Sequence, residues 1–195
     1  MNKGRIEEKI VFGIEKLARA NRVLLWEVAK KENLSPIQIQ FLNYLNNHPE
    51  ELCTIRNLSK EFDLAEATVS EAIKSLQKKN FIFKKRTKED GRVYILCLTK
   101  KGAELAKRVS YWSSALVENI KRFSPEKKEK IMLYIMELLK SLQKTGVISV
   151  AKMCLNCENF KKDVHPGSRK PHHCNFTNSP MSNSELIIDC KKQIC

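Results

Sequence analysis

Apolar residues recur at helical spacing along most of the first 146 positions. Ile6, Ile10, Ile14, Leu17, Leu24 and Val28 are separated by charged residues, which predicts one long amphipathic helix over 5–31. Asn21 falls where an apolar residue is due. It reads either as a register-setting polar position between paired helices or as plain solvent exposure. Ser35-Pro36-Ile37-Gln38 has the form of a capping box with proline at the first helical position. The helix it opens, 36–46, has Ile39, Phe41, Leu42 and Leu45 as its inner face and ends at Asn46-Asn47-His48-Pro49. Thr54 can cap a short helix over 55–62, and Asp63-Leu64 reads as a turn. Asp63 and Glu66 have capping-box spacing and predict a further helix over 65–79, with Val69, Ala72, Ile73 and Leu76 facing inward. Two helices joined by so tight a turn form a helix-turn-helix.

The period then changes to two. Phe81-Ile82-Phe83 and residues 93–98 read as short strands, and Asp90-Gly91 between them is a hairpin signal, so the pair predicts a two-stranded wing. Thr99 is placed to cap a long helix over 100–123 carrying Leu105, Val109, Trp112, Leu116 and Ile120. Ser124-Pro125-Glu126 restarts the chain as a cap, a first-position proline and an acid in the first turn. Ile131, Ile135, Leu138 and Leu142 on the following helix, 126–145, make a coiled-coil-like seam that Gly146 stops. Beyond it the helical period is lost among Pro, Ser, Asn, His and Cys. The expected organisation is therefore a mainly α domain over 1–146 with a small β wing, a winged helix-turn-helix flanked by long dimerisation helices. A small Cys-rich module occupies 147–195.

Composition adds a partner. The 195 residues hold 36 Lys+Arg against 22 Asp+Glu, a net charge of +14, which is the electrostatic footprint of a polyanion binder. Residues 78–92 concentrate it, with seven basic side chains against two acidic ones. No apolar run approaches the roughly 20 residues that span a bilayer, and the N-terminal residues lack the apolar stretch of a secretory signal. The expectation is a cytoplasmic protein with no membrane partner. No Ser-His-Asp frame, phosphate-cradling glycine loop or paired carboxylates are recognisable, so the chain does not read as an enzyme.

Four pieces in this order resemble the multiple antibiotic resistance regulator (MarR) family of winged-helix transcription factors, over about residues 5–146. They are Leu34-Ser35-Pro36-Ile37-Gln38, Ala67-Thr68-Val69-Ser70, Asp90-Gly91-Arg92 and Leu96-Cys97-Leu98-Thr99-Lys100-Lys101-Gly102. The resemblance implies a homodimeric regulator, a repressor in sign, on a pseudo-palindromic double-stranded DNA operator. A recognition helix reaches base edges from its N-terminal residues, which nominates Thr68, Ser70 and Lys74. Glu71 departs from the basic residue often found there in the resembled family; it either accepts from a base or points away from DNA. In the wing, Arg86, Lys88, Asp90 and Arg92 are the candidates. The resemblance implies that Arg92 enters the minor groove while Asp90 orients it. It also leaves room for a small-molecule effector near Trp26, Tyr44, Tyr111 and Trp112, although aromatics at such spacing are more often core.

Five of the seven cysteines fall in the last 42 residues: Cys154, Cys157, Cys174, Cys190 and Cys195. In a reducing compartment such clustering points to metal or redox chemistry. Cys154, Cys157, Cys174 and Cys190 form a four-thiolate set for zinc or an iron–sulfur cluster, or else they are free thiols acting as a switch. A single CxxC weakens zinc without removing it, and the balance leans slightly to zinc. His165, His172, His173 and Cys195 are spare candidates, while Cys53 and Cys97 read as small buried hydrophobes. A metal or redox change in the tail would act through the adjoining helix on the spacing of two reading heads. The rival readings are an architectural DNA-binding protein and a thiol redox protein using Cys154 and Cys157.

Overall fold

The computed structural model describes residues 5–86 and 93–191. They fall into two compact units, one of the described residues up to 58 with those of 65–118, the other of 59–64 with the described residues from 119 on. Among the described residues no helix is long and apolar enough to cross a membrane.

The first unit begins with α1 (Ile6–Lys31), which buries only Leu25, Val28 and Ala29 near its end. Then comes α2 (Pro36–Asn47), capped as its sequence predicts. Gln38 N–H donates to Ser35 Oγ at 3.4 Å, and Ser35 N–H donates to Gln38 Oε1 at 3.0 Å. Thr54 Oγ1 accepts from Asn57 N–H at 3.1 Å and opens α3 (Ile55–Glu61). The recognition-helix candidate is α4 (Glu66–Lys78). The core between these helices holds Ile39, Phe41, Leu42, Leu58, Val69, Ile73 and Leu76, all closed to solvent. β1 (Ile82–Arg86) and β2 (Tyr94–Leu98) pair antiparallel from Ile82↔Leu98 to Arg86↔Tyr94. Ile82 and Leu96 are the buried anchors of this wing, and Leu96 N–H donates to Cys53 O at 2.7 Å, which ties β2 to the loop before α3.

One device sets most of the helix exits. Asn33, Asp63, Asn80 and Gly146 all have positive φ, at 52°, 49°, 59° and 75°. In each case the next residue's N–H reaches back to the helix: Leu34 to Ala29 O, Leu64 to Ser59 O, Phe81 to Leu76 O and Val147 to Leu142 O. These are Schellman ends, which reverse the chain sharply and satisfy the last carbonyls. The turn of the helix-turn-helix therefore differs from its sequence reading. Asp63 terminates α3 in the left-handed region rather than capping α4, and Ala65 caps α4 without a side-chain hydrogen bond.

The helix expected over 100–123 is interrupted. It runs as α5 (Lys100–Val109), a 3-10 stretch over Ser110–Ser113, and α6 (Ser114–Lys121). Ser110 Oγ donates to Lys107 O at 2.8 Å, so the Ser110 hydroxyl competes with the regular helical ladder.

The second unit is built on α7 (Pro125–Lys144), whose cap is the expected one: Ser124 Oγ accepts from Lys127 N–H at 3.3 Å, with Pro125 in the first turn. Residues after Gly146 form a three-stranded antiparallel sheet of β3 (Phe160–Lys161), β4 (His172–Cys174) and β5 (Ser179–Met181). Met136 of α7 packs with Met153, Cys154, Met181 and Leu186 in a core of its own.

Candidate nucleic-acid interface

Alternation along α4 separates anchor from reading surface. Val69, Ile73 and Leu76 are buried, whereas Thr68, Glu71, Lys74 and Lys78 are exposed and Ser70 is half-buried. Thr68, Glu71 and Lys74 recur at three-residue intervals, so they share one outer face. Glu71 lies on that face beside Lys74 rather than turned into the core.

The wing candidates divide. Arg86 ends β1, where its Nε donates to Tyr94 Oη at 3.2 Å and its guanidinium lies 5.7 Å from the Tyr94 ring centroid. Tyr94 is thus a positioning residue that the charge pattern alone did not reveal; its signal is the cross-strand pairing Arg86↔Tyr94. Lys88, Asp90 and Arg92 lie outside the described residues. Part of the basic run has structural work: Lys79 Nζ donates to Asn33 O at 2.6 Å, and Lys85 Nζ pairs with Glu50 Oε2 at 3.2 Å.

Wing and helices are joined through Thr99. Its Oγ1 donates to Asn80 O at 2.8 Å and accepts from Gly102 N–H at 3.0 Å, while its N–H donates to Phe81 O at 3.0 Å. Phe81 O lies directly over Gly102, so a Cβ at 102 would overlap it. This explains physically why glycine comes after Thr-Lys-Lys at the exit of the wing.

The four aromatics nominated for an effector site are placed differently from one another. Tyr44 is buried and stacks on His48 with ring centroids 3.8 Å apart. Trp26 and Tyr111 are exposed, and Trp112 is half-buried. Trp26 lies on a shallow groove of α1 with Arg19, Arg22, Val23, Glu27 and Lys30.

Cys53 is buried, and its Sγ–H donates to Pro49 O at 3.4 Å. Burial pushes its thiol up to about 12, with Cys97, Glu50 and Glu51 adding to the effect. Burial raises the Cys97 thiol as well. The thiolate is the nucleophile, so Cys53 is inert in the folded chain. Treatment with iodoacetamide at pH 8 is expected to leave Cys53 unlabelled in native protein and to label it in urea, as read by peptide mass spectrometry.

In the second unit Cys154, Cys157, Cys174 and Cys190 line a single cavity. Burial raises the Cys154 thiol, a hydrogen bond from the Ile187 amide lowers it, and the three other cysteines raise it further. A raised thiol is the opposite of what an attacking redox cysteine needs. The spare imidazoles are otherwise engaged. His172 is buried, accepting from Asp163 N–H at Nδ1 (3.2 Å) and facing Asn183 Oδ1 at Nε2 (2.9 Å). His165 Nε2 and His173 Nδ1 are 3.1 Å apart, and His173 Nε2 faces Asn178 Oδ1 at 3.3 Å. Cys195 lies outside the described residues.

The helix-turn-helix with its wing has the architecture of a winged-helix domain. Residues 32–93 match the model of the MarR family. Solved structures extend the likeness in fold. Staphylococcus aureus MepR in a DNA-binding conformation is 19% identical with a TM-score of 0.63, the match covering 69% of this chain and 98% of that one. A MarR transcriptional regulator from Methanosarcina mazei Go1 is 22% identical with a TM-score of 0.61, covering 71% of this chain and 99% of that one. Streptococcus pneumoniae FabT, in complex with DNA, is 23% identical with a TM-score of 0.58, covering 70% and 99%. No curated protein sequence matches the chain. The family likeness thus covers residues 32–93, and the likeness to the solved structures is one of fold.

Proposed function

We propose that the chain is a sequence-specific DNA-binding transcriptional regulator that acts as a homodimer, with repression as its sign. The observation that carries this reading is the outer face of α4. Thr68, Glu71 and Lys74 stand exposed on a helix whose opposite face is locked into the core by Val69, Ile73 and Leu76. A rigid helix with a short polar face fits the major groove, and its N-terminal turn, closed by no side chain, suits a phosphate. MepR and FabT structures with this fold are described as a DNA complex and in complex with DNA. In this reading Thr68, Ser70 and Lys74 meet bases and phosphates, Glu71 accepts from a cytosine amino group, and Arg86 contacts the backbone from the wing. Lys88, Asp90 and Arg92 are assigned to DNA as well, with Arg92 in the minor groove and Asp90 orienting it, as the family resemblance implies.

The dimer rests on α1. Ile6, Ile10, Ile14 and Leu17 are all exposed along one face of this helix, an apolar stripe too long to be left to water. A second copy covers it and sets two reading heads one helical turn apart. A dimer seated across a promoter excludes polymerase, hence repression.

Selection of the full chain on random duplex DNA tests the reading. A recovered pseudo-palindrome supports it; retention of DNA with no preferred sequence makes the protein architectural instead. On the selected duplex, Lys74→Ala is expected to weaken binding about equally on all sequences. It should also reduce the slope of log K against log salt by roughly 0.9, the share of the one phosphate that Lys74 neutralises. A titration by fluorescence anisotropy between low and physiological salt measures both.

A further inference from the structure

The tail cysteines belong to no part of the DNA-binding reading and stand or fall without it. Cys154 and Cys157 are the two ends of one 3-10 turn, in which Cys157 N–H donates to Cys154 O at 3.0 Å. A turn of this kind rises about 2 Å per residue and stacks its first and fourth side chains, which puts the two Cα atoms about 6 Å apart. A disulfide bridges Cα atoms roughly 4.4–6.8 Å apart, so the backbone holds this pair at bonding range. The turn is fastened on both sides. Phe160 N–H donates to Cys157 O at 3.1 Å, and Cys154 N–H donates to Ile187 O at 3.0 Å. Among the described residues no group of three or more His, Cys, Asp or Glu side chains is placed to hold a metal ion, and both cysteines are unbridged, so the pair is left to react as thiols.

The two thiols differ in access. Cys154 is buried in the core that includes Met136 of α7, and its Sγ accepts from Ile187 N–H at 3.3 Å. Cys157 is half-buried. Both line the cavity of about 1010 Å³, at the upper end of the roughly 300–1,000 Å³ that small-molecule sites span. Phe160, Phe176 and Met181 give it an apolar wall, while Glu158, Glu185 and Asp189 stand around it with Lys170 and Lys191. Lys170 Nζ and Glu185 Oε1 pair at 2.6 Å, and Glu158 and Lys191 offer a ligand one charge of each sign. A peroxide needs neither that volume nor those charges. A disulfide of a small amino-acid or peptide thiol, with carboxylates and ammonium groups about a central S–S bond, uses the volume, the charges and the thiols together.

We propose that the cavity binds a low-molecular-weight disulfide of this class and that exchange with it joins Cys154 to Cys157. The Cys157 thiolate attacks one sulfur of the bound disulfide, its S–S bond breaks, and one small thiolate leaves. The Cys154 thiolate then attacks Cys157 Sγ and expels the second small thiolate. Two cysteine thiols are oxidised, one disulfide is reduced to two small thiols, and the two cysteine protons end on them. Cys157 acts first because it is half-exposed at the cavity, whereas burial keeps Cys154 in the thiol form.

The test takes the full chain, reduced and then freed of reductant, through treatment with glutathione disulfide or cystine, alkylation and trypsin. Cys154 and Cys157 share the tryptic peptide 153–161. That peptide is expected to lose two hydrogens and take up no alkyl group, with about two small thiols released per chain. Cys154→Ser should stop at the mixed disulfide on Cys157, and Cys157→Ser should slow thiol release by roughly tenfold or more. Uncharged hydroxyethyl disulfide should react roughly tenfold more slowly than glutathione disulfide with the folded chain, and at a similar rate with the chain unfolded in urea. A bond from Cys157 to Cys174 or Cys190, a 153–161 peptide that stays reduced, or equal rates for the two disulfides on the folded chain overturns the proposal. The wild-type peptide map stands by itself should a variant fail to fold.

Discussion

A chain carrying Ile10→Glu and Leu17→Glu runs as a monomer and binds its operator about a hundredfold more weakly, or worse. Both side chains are exposed on α1, at 38% and 64%, so the substitutions remove nothing from the core of their own chain. Their cost falls on the partner: two carboxylates per subunit would be buried in an apolar seam without counter-charges. Losing the dimer converts two linked reading heads into independent ones, and linkage of that kind is worth roughly 10²–10⁴ in affinity. Sedimentation gives the mass, circular dichroism checks that helix content is retained, and anisotropy gives the affinity. A double variant that stays dimeric would show that α1 is not the dimer seam.

Gly102→Ala is expected to cost about 3 kcal/mol, the upper end of what overpacking costs. The added methyl meets the Phe81 carbonyl, which is backbone and cannot rotate away. Separating the two also loosens Thr99, whose side chain bonds both Asn80 O and Gly102 N–H. The wing and α5 would part at their junction. Against a total of roughly 5–15 kcal/mol for a domain, such a loss leaves the DNA-binding unit marginal at 37 °C. Urea unfolding monitored by circular dichroism measures it; a change below about 0.5 kcal/mol would mean that the junction yields easily.

Sequence and structure agree where local chemistry and burial point the same way. Ser35-Pro36-Ile37-Gln38 carries its own capping box, and Ser124-Pro125 its own first turn, so both helix starts were legible. The inner faces of α2 and α4 were legible for the same reason, through their 3.6-residue period. Asp63 was not. An aspartate can accept from a helix N-terminus or tolerate the left-handed region, and the two roles look alike in sequence. The structure puts it at φ 49°, ending α3, because Leu64 N–H closes on Ser59 O. The interruption at Ser110–Ser113 was hidden in a similar way, since the apolar period runs on through Trp112 and Leu116 while the Ser110 hydroxyl acts on the backbone.

The tail shows the limit most clearly. Its strands are two or three residues long, too short to establish a period. Spacing therefore named four thiols without indicating that they line one cavity. At the interface the basic run overstated the number of available cations. Asn33 O engages Lys79 and Glu50 engages Lys85, partners 46 and 35 residues away in the chain. Tyr94 was missed because its role comes from register, which places it opposite Arg86.

Hydroxyl-radical footprinting on the selected duplex tests the central claim most directly. A homodimer with one recognition helix per subunit predicts two protected major-groove segments about one helical turn apart, each flanked by minor-groove protection from a wing. The Ile10→Glu, Leu17→Glu variant should lose both together. A single protected segment, or even protection along the whole duplex, would contradict the account.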